Sequence, residues 1–246
     1  MLIYPGGKRP QGRRRQSSGQ VNLRQNSYGS AEGSWSSWAW TLSRSIGILS
    51  SEELRAGDYP WVRWAKYSEE MNTREAIALI RTPLIEWAQP QSWCDLGSGS
   101  GTFTVALAQL LAPGSTIYAV DYDHGALERV PDRHNRVEIR KIVGDLQSSS
   151  LRLPSVTGIL MANTLHFIQE QQIFLKRLRS VADRFLIVEY ERSKPSRWRP
   201  YPVGFERLRQ LFSEAGVERV EKLTTKPSRF GGTMYSALAE RCRAQS

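Results

Sequence analysis

The residues with the types and spacing to do chemistry lie at a few points along 246 residues. Trp93-Cys94-Asp95-Leu96 is a short apolar run that carries an acid near its end and enters Gly97-Ser98-Gly99-Ser100-Gly101. Three glycines at alternate positions let the backbone turn tightly and approach a ligand without side chains in the way. The run Phe103–Leu111 reads as a helix. Its first turn offers free N–H groups and the positive end of a dipole. Such a turn suits a nucleotide-like cofactor. Asp121 stands 22 residues past Gly99, where a carboxylate can accept from both hydroxyls of a ribose. Histidine is the side chain suited to take up a proton near neutral pH, and His166 is the candidate general base if an acceptor must lose a proton. Its other reading is a packing histidine at the start of the next helix.

The elements that must position these residues follow from the pattern around them. Asn72 reads as an N-cap with Glu75 three residues later. Ile77, Ile80, Leu84, Trp87 and Ala88 follow at helical spacing, with a kink expected at Pro83 and an end at Pro90. From residue 92 strands and helices alternate. Strands are expected at 92–96, 116–120, 137–143, 156–163 and 184–190. Helices are expected at 101–111, 124–130, 169–181 and 203–215, the last with Gly216 just past its end. Residues 218–240 read as two strands joined by Pro227 to Gly232, although alternation over 218–225 is poor. The βαβα order predicts an α/β fold, a doubly wound parallel sheet with helices on both faces.

Two cofactor classes use a glycine turn at such a sheet edge. The dinucleotide fingerprint needs a third glycine at position 102, which is Thr102. The chain has Asp95-x-Gly97-x-Gly99-x-Gly101 instead, and this resembles the first motif of the class I S-adenosylmethionine-dependent methyltransferases. Asp121 after Ala119-Val120 serves either class. Gly144-Asp145 resembles the family's third strand end, where an acid meets the adenine amine and the next residue, Leu146, offers a backbone contact. Leu160 to Phe167, with Asn163 and His166, resembles its fourth motif, which lines the methionine part and the methyl-transfer point. Over about residues 75–240 the resemblance implies a Rossmann-like, seven-stranded sheet, mostly parallel with an antiparallel last strand. It implies S-adenosyl-L-methionine as cofactor, held by Asp95, Gly97, Ser98, Gly99, Gly101, Asp121, Tyr122, Asp145, Leu146 and Asn163. It implies no metal.

The acceptor is read from what is present and what is missing. Glu189-Tyr190-Glu191 and the loop Arg197-Trp198-Arg199-Pro200-Tyr201-Pro202 suit a planar or anionic small molecule, or form a structural brace. Ser228-Arg229-Phe230-Gly231-Gly232 is expected as a turn near the same region. The Asn/Asp-Pro-Pro-Tyr run, a cytosine-type cysteine nucleophile and a Lys-Asp-Lys-Glu tetrad are all missing. The leading expectation is methyl transfer to an oxygen or nitrogen of a small molecule. The alternatives are an RNA- or protein-directed methyltransferase, an NAD-dependent oxidoreductase, or a cofactor-binding module without activity.

Composition bounds these readings. The net charge of +10 suggests nucleic acid, but residues 1–50 hold seven cations against one acid. The chain from 51 onward is only mildly basic, so nucleic acid is not favoured. Residues 1–34 are rich in Gly, Ser, Gln and Arg and read as a disordered leader. Residues 35–91 hold Trp35, Trp38, Trp40, Trp61 and Trp64 and read as a helical cap or lid. Residues 92–246 read as the cofactor-binding domain. No run is long enough to span a bilayer, no secretory signal is expected, and Cys94 and Cys242 form no disulfide framework. A cytoplasmic setting is expected.

Overall fold

The computed structural model describes residues 71–241, except 84, 86–88, 229 and 230. The expected leader, most of the expected cap, Cys242 and the centre of the 228–232 turn lie outside the described residues.

Helix α1 runs Thr73–Ile80, and the Asn72 side chain caps it by accepting from the Glu75 N–H at 2.9 Å. The helix stops at Ile80, three residues before Pro83, rather than kinking through it. Proline disfavours helical backbone at the residue before it, Thr82, so the chain turns out early. Leu84, Trp87 and Ala88 lie outside the described residues.

The remaining elements alternate as the pattern predicts. They are β1 (Ser92–Leu96), α2 (Thr102–Leu110), β2 (Thr116–Asp121), α3 (His124–Glu128), β3 (Arg133–His134) and β4 (Val137–Val143). After these come β5 (Gly158–Ala162), a 3-10 turn at Leu165–Phe167, α4 (Gln171–Leu178), β6 (Arg184–Tyr190), α5 (Phe205–Glu214), β7 (Arg219–Pro227) and β8 (Thr233–Glu240). They build one sheet in the order β3-β4-β2-β1-β5-β6-β8-β7. Strands β4, β2, β1, β5 and β6 are parallel, and β8 runs antiparallel between β6 and β7.

The sheet has eight strands where seven were expected. The extra one is β3, which pairs antiparallel with β4 through a two-residue turn. Asn135 and Arg136 both take positive φ there, 47° and 62°, as a primed hairpin turn requires. The poor alternation in the 218–225 stretch also has a cause. The register shifts between Lys222 and Thr224, so Leu223 is a bulge that inverts the facing of the strand.

Alternate residues of the central strands feed two cores, which is what winding helices on both faces means. On one face Cys94, Leu96, Ile159, Met161, Phe185 and Ile187 pack with α4 and α5. On the other Trp93, Ile117, Leu160, Leu186 and Val188 pack with α1 and α2. At one point the backbone itself comes close: a Cβ on Gly158 would lie 2.6 Å from the Trp93 ring. Replacing Gly158 with Ala forces that ring out of its site and should cost about 1–3 kcal/mol of stability. Urea denaturation checks this, and an unchanged midpoint would contradict it.

Candidate active site

The loop after β1 is shaped by three residues with positive φ: Gly97 at 75°, Gly99 at 53° and Gly101 at 90°. Gly97 has a second constraint, since a Cβ there would meet the Thr164 hydroxyl at 2.5 Å. Gly99 faces open space. The Gly97 and Ser98 N–H groups donate to the Val120 carbonyl at 2.8 and 3.1 Å, which ties the loop to the end of β2. Gly101 is the N-cap of α2 and no side chain caps that helix, so its first-turn N–H groups lack a side-chain acceptor.

Asp121 joins the first two loops. Its Oδ2 accepts from Gly99 N–H at 2.8 Å and its Oδ1 from Asp123 N–H at 2.9 Å. Asp123 in turn caps α3 by accepting from Ala126 N–H. The Asp121 main-chain carbonyl accepts from Gly144 N–H at 2.9 Å, which brings the end of β4 alongside. Asp145 is exposed, and its Oδ1 accepts from Gln147 N–H at 2.8 Å. The Leu146 carbonyl is taken by the Arg177 guanidinium, which leaves the Leu146 N–H as the main-chain group to offer.

Asp95 lies deeper than the other acids. It is 1% exposed and accepts from the Thr104 hydroxyl of α2 at 2.6 Å. It thus pins the first turn of that helix from below the loop. Burial pushes its carboxyl up to about 7, against the pull of the Thr104 bond and with help from the Asp121 charge.

At the end of β5 the chain breaks at Asn163, which takes a left-handed φ of 57°. Its Oδ1 is buried and finds no partner among the described residues, and the same holds for the Ser98 hydroxyl. His166 follows in the 3-10 turn and is 3% exposed. Its Nδ1 lies 2.7 Å from Glu189 Oε2, and its main-chain N–H donates to Glu189 Oε1 at 3.1 Å. Its carbonyl accepts from Tyr201 N–H at 3.1 Å, which ties the loop after β6 to the same turn. That loop carries Arg199 with its guanidinium 3.8 Å from the centroid of the Tyr190 ring.

The expected residues therefore sit at the carboxyl ends of β1, β2, β4 and β5. Hydrogen bonds connect the glycine loop, Asp121 and the Gly144-Asp145 corner, and the Gly97–Thr164 contact brings in β5. His166 belongs to a second group with Glu189 and the 191–204 loop. Sequence reasoning did not single out Thr104, Thr164, Arg177 or the pairing role of Glu189. Glu189 leaves a trace, as an acid inside the apolar run Phe185-Leu186-Ile187-Val188 and Tyr190.

The donor set fits an adenosine-bearing group. Tyr122 (58% exposed), Val143 (55%) and Phe167 (50%) are large apolar side chains left open at the ends of β2, β4 and β5. Asn163 Oδ1 is a buried acceptor and Ser98 Oγ a buried hydroxyl, and neither has a partner among the described residues. No cluster suited to a metal occurs among the described residues, and no described helix is long and apolar enough to cross a membrane.

Residues 94–184 match the family model described as a methyltransferase domain. This segment is similar to a methyltransferase domain. The matched segment runs from within β1 to the start of β6 and so contains the glycine loop, Asp121, Asp145, Asn163 and His166. A release factor glutamine methyltransferase of Thermosynechococcus vestitus is 41% identical over 56 residues, 23% of this chain and 19% of that protein. The match thus spans about a fifth of that relative's length. Among solved structures, the magnesium protoporphyrin IX methyltransferase (ChlM) of Synechocystis PCC 6803 with bound SAM superposes with a TM-score of 0.51. It is 16% identical, over 84% of this chain and 92% of that one. The N-terminal domain of EvdMO1 with SAH bound gives 0.51 at 16% identity, over 69% and 81%. An arsenic (III) S-adenosylmethionine methyltransferase of Chlamydomonas reinhardtii, CrArsM, gives 0.51 at 15%, over 71% and 74%. These likenesses establish the Rossmann-like fold.

The buried Asp95 yields a stability prediction. In the unfolded chain its carboxyl ionises near about 4, whereas the fold holds the proton up to about 7. The stabilisation is fully present below the unfolded value and is lost as pH rises through the folded one. Asp95→Asn keeps an acceptor for Thr104 but cannot ionise. Between pH 4 and 8 the wild type should therefore lose stability relative to the variant, on the order of a few kcal/mol. Urea titrations of both proteins at the two pH values check this; parallel pH dependence would contradict it.

Proposed function

We propose that the chain transfers a methyl group from S-adenosyl-L-methionine to an oxygen or nitrogen of a small-molecule acceptor. The observation that carries the reading is the bond between Asp121 and the Gly99 N–H within a methyltransferase domain. It sets one carboxylate beside an open glycine and a helix start without a side-chain cap. When bound, the donor supplies a methyl carbon activated by a sulfonium, with a neutral thioether as leaving group.

The protein's own tasks are to bind, align and keep water out. Asp121 offers its remaining lone pairs to the two ribose hydroxyls. Asp145 accepts from the adenine amine and the Leu146 N–H meets a ring nitrogen, with Tyr122, Val143 and Phe167 against the ring faces. Gly97, Ser98, Gly99 and Gly101 let the methionine portion lie on the backbone, above Asp95. Asn163 Oδ1 gains its missing donor from the ammonium group. His166 is the base for a protic acceptor. Unlike Gly-rich dinucleotide sites, this one has Thr102 at the third position. The reading carries no metal, a cytoplasmic setting and no role for nucleic acid.

Calorimetric titration tests the donor site. S-Adenosylhomocysteine should bind and NAD should not. Asp121→Asn should weaken binding by about 10- to 100-fold, the cost of a hydrogen bond to a charged group. Binding of NAD alone would overturn the reading.

A further inference from the structure

Glu189 is 1% exposed and its carboxylate faces three N–H donors. Oε1 accepts from the His166 main chain at 3.1 Å. Oε2 lies 2.7 Å from His166 Nδ1 and also accepts from Tyr190 N–H at 3.3 Å. An ionised carboxylate only accepts, so Nδ1 must carry the ring proton. The lone pair of the neutral ring is then on Nε2, and the hydrogen bonds of the ring among the described residues end at Glu189. The same acid holds both the ring and the backbone of one residue. That is more restraint than packing a buried histidine requires, and it fixes both orientation and tautomer. The Phe167 and Tyr190 rings, centred 4.2 and 6.0 Å from the imidazole, wall it from two sides.

We propose that Glu189 is a positioning residue that holds His166 in the Nδ1–H tautomer, and that the acceptor is a hydroxyl compound whose proton passes to His166 Nε2. The proposal rests on the methyl-transfer reading and narrows its acceptor. A carboxylate acceptor needs no base, and a free amine already presents its lone pair. A neutral hydroxyl gains most from a fixed base. As its oxygen bonds to the methyl carbon, the carbon–sulfur bond breaks with the electron pair left on sulfur. The O–H proton moves to Nε2, and the resulting imidazolium rests against the Glu189 carboxylate. One positive charge thus passes from the sulfonium to the imidazolium, where the Glu189 carboxylate pairs it and no unpaired ion is left in the core.

The tautomer can be read directly by nitrogen NMR of the full chain labelled with ¹⁵N-histidine, which has three histidines in all. His166→Gln assigns the signal. At pH 8 the expected result is a protonated Nδ1 and an unprotonated Nε2 at His166. The opposite tautomer, or a doubly protonated ring, overturns the proposal. Glu189→Gln cannot accept from all three donors. Satisfying the His166 main-chain N–H turns its NH₂ toward Nδ1, so the single tautomer should be lost; its retention also overturns the proposal. Glu189→Asp is the conservative variant and should restore it in part.

Labelled methyl donor and a panel of hydroxyl, amine and carboxylate compounds test the acceptor. Transfer to hydroxyl compounds is expected, with kcat down by about 100-fold in Glu189→Gln and the donor KM within about twofold. Transfer to no hydroxyl compound, or an undiminished kcat, overturns it. Titration with S-adenosylhomocysteine separates the two levels. Failure to bind in the wild type sinks the methyl-transfer reading itself, whereas binding with the wrong tautomer sinks only the role of Glu189.

Discussion

The site depends on one carboxylate at the end of one strand. Asp121 accepts from Gly99 and from Asp123, so it holds the loops after β1 and β2 in a fixed relation. Its own carbonyl then draws in Gly144 at the end of β4. Three chain segments meet at a single residue that is 8% exposed. Backbone N–H groups near a strand edge need partners, and an acid supplies two at once. The charge that organises these loops is the charge suited to receive hydroxyl groups.

A second acid acts beneath it. Asp95 points into the core side of the same loop and holds α2 through Thr104. Burial disfavours its ionised form, so the carboxylate is held there at a cost. Two neighbouring acids are therefore set apart by environment. One lies at the mouth with backbone donors; the other is shut in against a helix. Only the former has lone pairs that a bound molecule could reach.

Much of this was legible before any coordinates. The strands 92–96 and 184–190 are largely apolar, 137–143 opens on the alternation Val137-Glu138-Ile139-Arg140, and Gly, Pro or charged residues close by mark the limits of all three. Glycine spacing identifies the first loop because positive φ at Gly97, Gly99 and Gly101 is a local demand. What stayed hidden depends on contacts between distant residues or on local exceptions. The β3–β4 hairpin turns on Asn135-Arg136, where an arginine takes positive φ without the usual glycine. The bulge at Leu223 scrambles alternation, so β7 looked weak. Thr82 before Pro83 ends α1 although apolar spacing continues past it. The tie between His166 and Glu189 spans 23 residues and joins the turn after β5 to the end of β6, and no spacing rule predicts it.

The central claim is that the loops after β1, β2 and β4 form one adenosine-bearing site. Hydrogen exchange of the full chain, with and without S-adenosylhomocysteine, tests it most directly. The account predicts slowed exchange of the amides in 97–101, 121–123 and 144–146 together, with the β7–β8 hairpin unchanged. Protection confined to other segments, with those three loops unaffected by saturating ligand, would contradict it.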